Sequence, residues 1–333
     1  MDTTQQTSLQ IQDLQALKQL IATNERFLFL APRNYDADTI GTNLAFMMYL
    51  EEQCHKKCIM YAPNAIPEKY STMPGFERFV TDFQARDVDV IFSSDTGSVD
   101  LFGTNTCERE VMSRGLPWIN LDHHSSNGCF GTLNLIDTTG ASCSMLLQNI
   151  FNFLGAHITP DMATLMLLSI YYDTGCLVHP NTTKEVYEEV GLLVKKGGNV
   201  QSVLHDVFLS SSLGKLKIIG RVFERASMGD GALMSGVTFD DLLECGANRS
   251  ELDQVVNIMN TVADKSYCVL LSEDGKGNVK GGLRTQETSV DVSKIAQHFG
   301  GGGHKMAAGF TVPGKLEMQM QWRIIPANPV AVV

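Results

Sequence analysis

Eight cysteines lie at positions 54, 58, 107, 129, 143, 176, 245 and 268, and no two of them form a Cys-x-x-Cys pair. That spacing marks many zinc sites and redox motifs, and neither is expected here. Cys54-His55-Lys56-Lys57-Cys58 lacks the second half of a metal clip and reads as a helix end running into a strand. The thiols are read as reduced, in a cytoplasmic protein. No apolar run approaches the roughly twenty residues that span a bilayer, so no membrane association is expected. The opening Met1-Asp2-Thr3-Thr4-Gln5-Gln6 lacks a basic region followed by an apolar core, so no secretory signal is expected. Basic residues are also in deficit: 26 Lys and Arg face 37 Asp and Glu, a formal net charge of −11. This argues against a broad footprint on long duplex DNA. It leaves room for a small anionic substrate held by metals and a few local cations. Internal repeats and low-complexity segments are missing too. What remains is a 333-residue chain, 44% hydrophobic and 19% charged, with enough apolar residues for about two domains.

Short apolar runs alternate with helical patterns through the first half. Strands are expected at 27–31, 58–61, 88–92 and 116–121, with an edge strand at 133–136. Helices are expected at 8–24, 39–52, 105–114, 141–154 and 160–172, and 63–79 reads as a variable excursion. This rhythm implies a parallel sheet. Helices with loops at 196–198 and 210–212 follow. Strands are then expected at 232–238, 267–272, 279–284 and 308–312, with a helix at 290–299. The fold class is therefore α/β: a parallel-sheet domain over residues 1–183, a helical connector over 184–228, and a smaller α/β domain over 229–333, with a cleft between the domains. The tail from 318 carries no readable pattern.

The stretch Leu121-Asp122-His123-His124 ends a buried strand and runs into the turn Ser125–Gly128, where open α/β sheets place ligand sites. A carboxylate beside imidazoles suits a divalent ion such as manganese. Three further sites share the pattern of an acid beside Gly, Ser or Thr just past an apolar segment: Asp36 and Asp38, Asp95, and Asp173. Singly, each is commonly a turn or capping residue. As a set they can converge on one crevice. His179, Asn181 and Ser142 (near Asp137) are candidates to line it, or ordinary turn residues. His55, His157, His205 and His298 read as solvent or packing residues, and Met145, Met162 and Met166 as core. Gly300–Gly303 can adopt positive φ and expose successive amides as a phosphate nest, with His304 and Lys305 as added donors.

On these residues the chain resembles the DHH phosphoesterase superfamily. Asp36-x-Asp38, Asp95, Asp122-His123-His124 and Asp173-Thr174-Gly175 occur in that family's order. Gly300-Gly301-Gly302-Gly303-His304-Lys305-Met306-Ala307-Ala308-Gly309 resembles the signature of its DHH-associated domain. The resemblance covers roughly residues 25 to 312 and points to the short oligoribonuclease/pAp-phosphatase (nanoRNase-like) branch, which includes cyclic-dinucleotide phosphodiesterases. It implies a manganese-dependent hydrolase of short nucleotides, with magnesium as the alternative metal, and leaves a homodimer open. Asp36 and Asp38 would each face one metal and Asp95 would bridge the two. His124 and Asp173 would complete the second ion. Asp122 and His123 would be ligands or orienting groups and carry catalysis. Arg284, Gly301, Gly302, Gly303 and His304 would bind substrate. The chain departs from the branch at Pro32, where a ligand histidine is usual; Asn34-Tyr35-Asp36-Ala37-Asp38 is closer to the RecJ-type form. This keeps a second reading open, a nucleotide-binding or sensor protein with weak or no catalysis. A RecJ-like exonuclease and an inorganic pyrophosphatase are lesser alternatives.

Overall fold

Strands whose residues are buried on both faces read as continuous apolar runs and need helices on either side. The first half of the chain builds this arrangement. The structure, a computed structural model, describes residues 9–205 and 212–317; Ser210 and Ser211 of the expected serine loop, residue 8 of the first helix and the tail from 318 lie outside them. The chain divides into two compact units, residues 1–210 and 211–333.

In the first unit the elements are α1 (Ile11–Thr23), β1 (Arg26–Leu30), α2 (Ala37–Cys54), β2 (Lys57–Tyr61), β3 (Phe79–Val80), β4 (Val90–Ser94), α3 (Thr106–Ser113), β5 (Trp118–Asp122), β6 (Leu133–Ile136), α4 (Cys143–Leu154), α5 (Pro160–Asp173), α6 (Lys184–Lys195) and α7 (Val200–Leu204). The strands form one sheet in the order β3-β2-β1-β4-β5-β6, with every pairing parallel. The order reverses direction between β1 and β4, the switch point where doubly wound sheets open a crevice at their carboxyl ends. The 63–79 excursion contains two single 3₁₀ turns and leads into β3, whose two residues are too few to show a period. It is tied back by Tyr35, whose hydroxyl donates to the carbonyls of Asn64 (3.3 Å) and Ala65 (3.0 Å).

Helix α2 begins two residues earlier than the apolar pattern suggests, because Asp36 caps it by accepting from the amides of Asp38 and Thr39. Residues 37 through 47 of α2 are all buried, and α5 is buried from Met162 to Tyr171. Phe29, Phe46 and Phe92 interlock beneath α2, with ring centroids 4.9 to 6.1 Å apart. The stretch read as a connector divides at the boundary between the units: α6 and α7 pack on α5.

The second unit contains α8 (Leu213–Glu224), β7 (Ser227–Gly229), β8 (Ala232–Val237), α9 (Phe239–Cys245), α10 (Leu252–Met259), β9 (Tyr267–Glu273), β10 (Asn278–Arg284), α11 (Val292–His298), β11 (Gly302–His304) and β12 (Ala307–Pro313). Its sheet runs β11-β12-β10-β9-β8-β7, antiparallel except for the parallel β8–β9 pair. One face is covered by Ile218, Val222, Val255, Val256 and Met259 from α8 and α10. On the other, Val292 and Ala296 of α11 pack with Leu283, Ala308 and Phe310.

Candidate metal centre

Every acidic position singled out in the first unit lies at the carboxyl end of the parallel sheet or on a helix end facing it. Asp38 enters in the first turn of α2, directly after the β1 loop. Asp95 follows β4 and adopts a left-handed φ of 57°, which Asp tolerates better than most residues. Its amide donates to the Leu121 carbonyl at 2.9 Å, and its Oδ2 accepts from the Thr39 hydroxyl at 3.1 Å. Asp122 is the last residue of β5, and Asp173 the last of α5.

His123 is the point on which they converge. Its Nε2 lies 3.2 Å from Asp173 Oδ2, 3.6 Å from Asp95 Oδ1 and 3.7 Å from Asp38 Oδ2. Its Nδ1 lies 3.2 Å from the carbonyl of Gly140, in the turn where Asp137 accepts from the Thr139 amide and hydroxyl. Nδ1–H donation to that carbonyl leaves Nε2 aimed at the carboxylates. His124 is held differently: its Nδ1 is 2.8 Å from Asp122 Oδ1 and 3.6 Å from Asp95 Oδ1. A proton on Nδ1 shared with Asp122 leaves Nε2 free to act as a ligand, a common carboxylate–histidine arrangement at metal sites.

The oxygens of Asp122 are themselves engaged. Oδ1 accepts from the amides of His123 (2.8 Å) and His124 (3.2 Å), and Oδ2 from Asn127 Nδ2 at 2.5 Å. Asp38 is fully buried and just as tightly held. Oδ1 accepts from Thr42 (3.0 Å) and Ser169 (2.5 Å), and Oδ2 from the Cys143 amide (2.9 Å). These anchors were not legible in the sequence as functional. Ser169 carried the one usable signal, a hydroxyl interrupting an apolar run one helical turn before Asp173. Cys143 joins Asp38, Asp95 and His123 in a cluster whose ligand atoms lie within 4.8 Å of one another; Asp95, Asp122, His123 and His124 form a second. Burial pushes the Cys143 thiol well up, so it stays a thiol there.

The electrostatics are those of a site short of positive charge. Desolvation, then the charges of Asp95 and Asp38, hold the Asp36 carboxyl well above its ordinary range. Burial raises Asp95 to about 6, and burial together with Asp38 raises Asp173 to about 8. His123 is pulled down by desolvation but driven up further by Asp173 and Asp95, to about 12. Asp122 runs the other way: desolvation would raise it, but the bonds from His124 and Asn127 hold it low. Asp173 Oδ2 is buried and has no hydrogen-bond partner assigned among the described residues; the His123 Nε2 stands 3.2 Å from it. Hard carboxylate oxygens and imidazole nitrogens crowded in one buried place fit a divalent cation.

Of the other candidates, His179 Nδ1 and Asn181 Nδ2 both lie 3.2 Å from the Asp173 carbonyl, so they brace that turn. Ser142 accepts from Ser169 at 3.1 Å, behind Asp38. Pro32 is buried and its carbonyl accepts from the Tyr35 amide at 3.2 Å; it offers no side-chain ligand. In the second unit the expected nest of free amides does not form. Gly300 and Gly301 donate to the carbonyls of Gln297 (3.0 Å) and Ala296 (2.9 Å) and so close α11, while Gly302–His304 become strand β11. Helix closure uses the same glycine conformations as a nest, and here it takes the amides. Arg284 on β10 pairs in register with Ala307 on β12, and Ala307 with His304 on β11. Directly paired residues share a face, so Arg284 and His304 flank a small residue on one side of the sheet.

Fold and site together define an α/β protein of two units with an acid–imidazole centre at the switch point of a parallel sheet. Residues 234–321 match the DHHA1 domain. The bifunctional oligoribonuclease and PAP phosphatase NrnA of Thermus thermophilus is 30% identical over 209 residues, 63% of each chain. The protein of the same name from Bacillus subtilis is 24% identical over 203 residues, 60% of this chain and 63% of that one. Both alignments therefore span less than two thirds of the relatives' length. The crystal structure of an exopolyphosphatase-related protein from Bacteroides fragilis shares the fold, with a TM-score of 0.84 over 94% of both chains at 20% identity. The chain thus carries a match to the DHHA1 domain and is similar to DHH phosphoesterases of the nanoRNase kind.

Proposed function

We propose that the chain is a metal-dependent phosphoesterase of short nucleotides: 5′-phosphorylated di- and oligoribonucleotides, pAp, or linear and cyclic dinucleotides. The observation that carries this reading is the convergence of Asp38, Asp95 and Asp173 on His123 Nε2, with His124 beside them. The names of the Thermus and Bacillus relatives agree with it. Asp36, Asp38, Asp95, His124 and Asp173 are the residues that would hold manganese, or magnesium in its place. Divalent ions in such a site activate water and neutralise phosphoryl oxygens.

The chain's own residues do the rest. Asp122 holds His124 in one tautomer and fixes the turn through Asn127. His123, oriented by Gly140, holds a proton on Nε2 next to the carboxylates of Asp173, Asp95 and Asp38. Thr42, Ser169 and the Cys143 amide fix Asp38 so that its Oδ2 faces the centre. In the second unit, Arg284 and His304 are proposed to grip the substrate's phosphate, with Gly302 and Gly303 of β11 lying beside them and Gly301 serving to close α11.

The test is manganese-dependent release of mononucleotide from 5′-pApA, run beside pAp, cyclic di-AMP, a longer oligomer and pyrophosphate, with an Asp122→Ala/His123→Ala control. Turnover of pApA that the control loses is the expected result. Absence of turnover across the panel by metal-loaded protein would reject it. Pro32 gives the second reading its observation: without a histidine there, nucleotide binding with no turnover would mark a sensor. Turnover of pyrophosphate alone would mark a pyrophosphatase, and preference for long single strands a RecJ-like exonuclease.

A further inference from the structure

The proposed chemistry uses the Cys143 amide but not the Cys143 thiol. Cys143 opens α4 and is fully buried. Its amide donates to Asp38 Oδ2 at 2.9 Å, which fixes its backbone against the centre. The flanking serines lie in the same place. Ser142 accepts from Ser169, and Ser144 Oγ is 3.0 Å from Thr42 Oγ1; Ser169 and Thr42 both donate to Asp38. The thiol itself donates to the Leu121 carbonyl at 3.6 Å, a weak bond from a weak donor.

Its neighbours set Cys143 apart from an ordinary buried cysteine. The ligand atoms of Cys143, Asp38, Asp95 and His123 all lie within 4.8 Å of one another. They are one sulfur, one imidazole nitrogen and two carboxylate oxygens, the donor types that zinc takes. Around a tetrahedral zinc the ligand atoms stand roughly 3.3–3.8 Å apart, given Zn–S of about 2.3 Å and Zn–N or Zn–O of about 2.0–2.2 Å. Side-chain shifts of about an ångström therefore gather the set. A second observation points to a cation here: Asp173 Oδ2, buried with no hydrogen-bond partner assigned among the described residues, stands 3.2 Å from His123 Nε2. Manganese and magnesium prefer carboxylate oxygens, whereas thiolates select softer ions. To a hard ion the thiol is a bystander, because ionising it would add a negative charge to an acidic site. A soft ion offsets that cost with a metal–sulfur bond. Four protein ligands also close a zinc site, leaving no position for water.

We propose that Cys143 is a latent ligand through which a soft divalent cation, zinc or cadmium, takes the centre with Asp38, Asp95 and His123 and shuts it. The metal–sulfur bond forms as the S–H bond breaks, and the proton leaves to solvent. The same residues thus hold manganese in an open site and a thiophilic ion in a closed one. This rests on the reading of the centre as that of a metal-dependent phosphoesterase and adds regulation by metal identity to it.

The experiment uses the full chain, stripped with a chelator and reloaded with one equivalent of a single metal. Cadmium is expected to raise the ultraviolet thiolate-to-cadmium charge-transfer band in the unmutated protein. The band should persist in Cys129→Ser, which removes an exposed thiol, and vanish in Cys143→Ser. X-ray absorption of the zinc-loaded unmutated chain should show one sulfur at about 2.3 Å, a measurement that needs no variant to fold. In competition with a chelating dye, the preference for zinc over manganese should fall about tenfold or more in Cys143→Ser, since groups that merely support a ligand are already worth roughly 10- to 100-fold. A zinc shell without sulfur, or a cadmium band that survives Cys143→Ser, would overturn the latent ligand. Equal losses for zinc and manganese would overturn it too, marking Cys143 as a packing residue. The phosphoesterase reading fails separately, on absence of turnover by the unmutated manganese-loaded chain.

Discussion

A Cβ placed on Gly41 of α2 would lie 2.3 Å from the carbonyl oxygen of Leu165 in α5. The two helices that deliver Asp38 and Asp173 thus meet through a glycine, and the obstacle is backbone that cannot rotate away. Gly41→Ala is expected to push α2 and α5 apart, destabilising the first unit by about 1–3 kcal/mol as overpacking does. Because Asp38 is three residues away, manganese affinity should fall as well. Calorimetry and a metal titration check the two effects, and wild-type values in both would refute the argument.

Asn127 acts on the centre through Asp122, whose Oδ2 it reaches at 2.5 Å, and donates as well to the carbonyl of Thr96, next to Asp95, at 3.1 Å. Asn127→Ala leaves that oxygen without its donor and loosens the turn that orients His124. Groups supporting a ligand in this way are worth roughly 10- to 100-fold in metal affinity. A loss in that range is expected by titration, with rescue by Asn127→Gln no more than partial because the longer side chain cannot keep the same reach.

Pro32 sits where a further imidazole would be expected, in a buried turn closed by its own carbonyl rather than by its ring. Replacement by histidine should leave the turn intact and add a ligand. Pro32→His is expected to tighten manganese binding and to raise the metal-dependent gain in melting temperature, which grows as RT ln(1 + [metal]/Kd) and reaches about 2.7 kcal/mol at a hundredfold excess over Kd. Chelation should remove the gain in both proteins. An unchanged difference between chelated and loaded samples would show that position 32 lies outside the ligand set.

Glu189 offers a pH test remote from the metal ligands. It is 4% exposed, and burial raises its carboxyl from 4.5 to about 7. The folded state therefore holds this proton more tightly than the unfolded state. Its burial costs nothing below about pH 4.5, and the cost grows until it is complete above about pH 7. The full displacement corresponds to on the order of 3 kcal/mol as an upper bound. Glu189→Gln cannot ionise, so it should match the wild type near pH 4 and exceed it in denaturation midpoint at pH 8. A difference that does not vary with pH would show that Glu189 is solvated.

The positions of the candidate ligands were legible because each follows an apolar run that could only be a buried strand or helix. Asp95 and Asp122 follow β4 and β5 for that reason, and the order of the runs implied a parallel sheet. The supports were not legible. Ser169 is 131 residues from Asp38 and the Cys143 amide 105 residues from it, and no local pattern encodes a contact at that separation. Strands β3, β7 and β11 were missed because two or three residues show no alternation. The glycines at 300–303 were read as a nest, yet a helix end needs the same backbone freedom, and only the position of α11 decides between the two.

Asp36 and Asp173 stand at opposite kinds of helix end. Asp36 caps the start of α2, where the aligned peptide dipoles welcome a negative charge, while Asp173 closes α5, where they repel one. A basic residue would ordinarily finish such a helix, and the last turn of α5 has none. A divalent cation held by Asp173 would therefore complete the helix as well as the centre. Loss of such an ion would then be an event of secondary structure, removing the closing charge of a deeply buried helix.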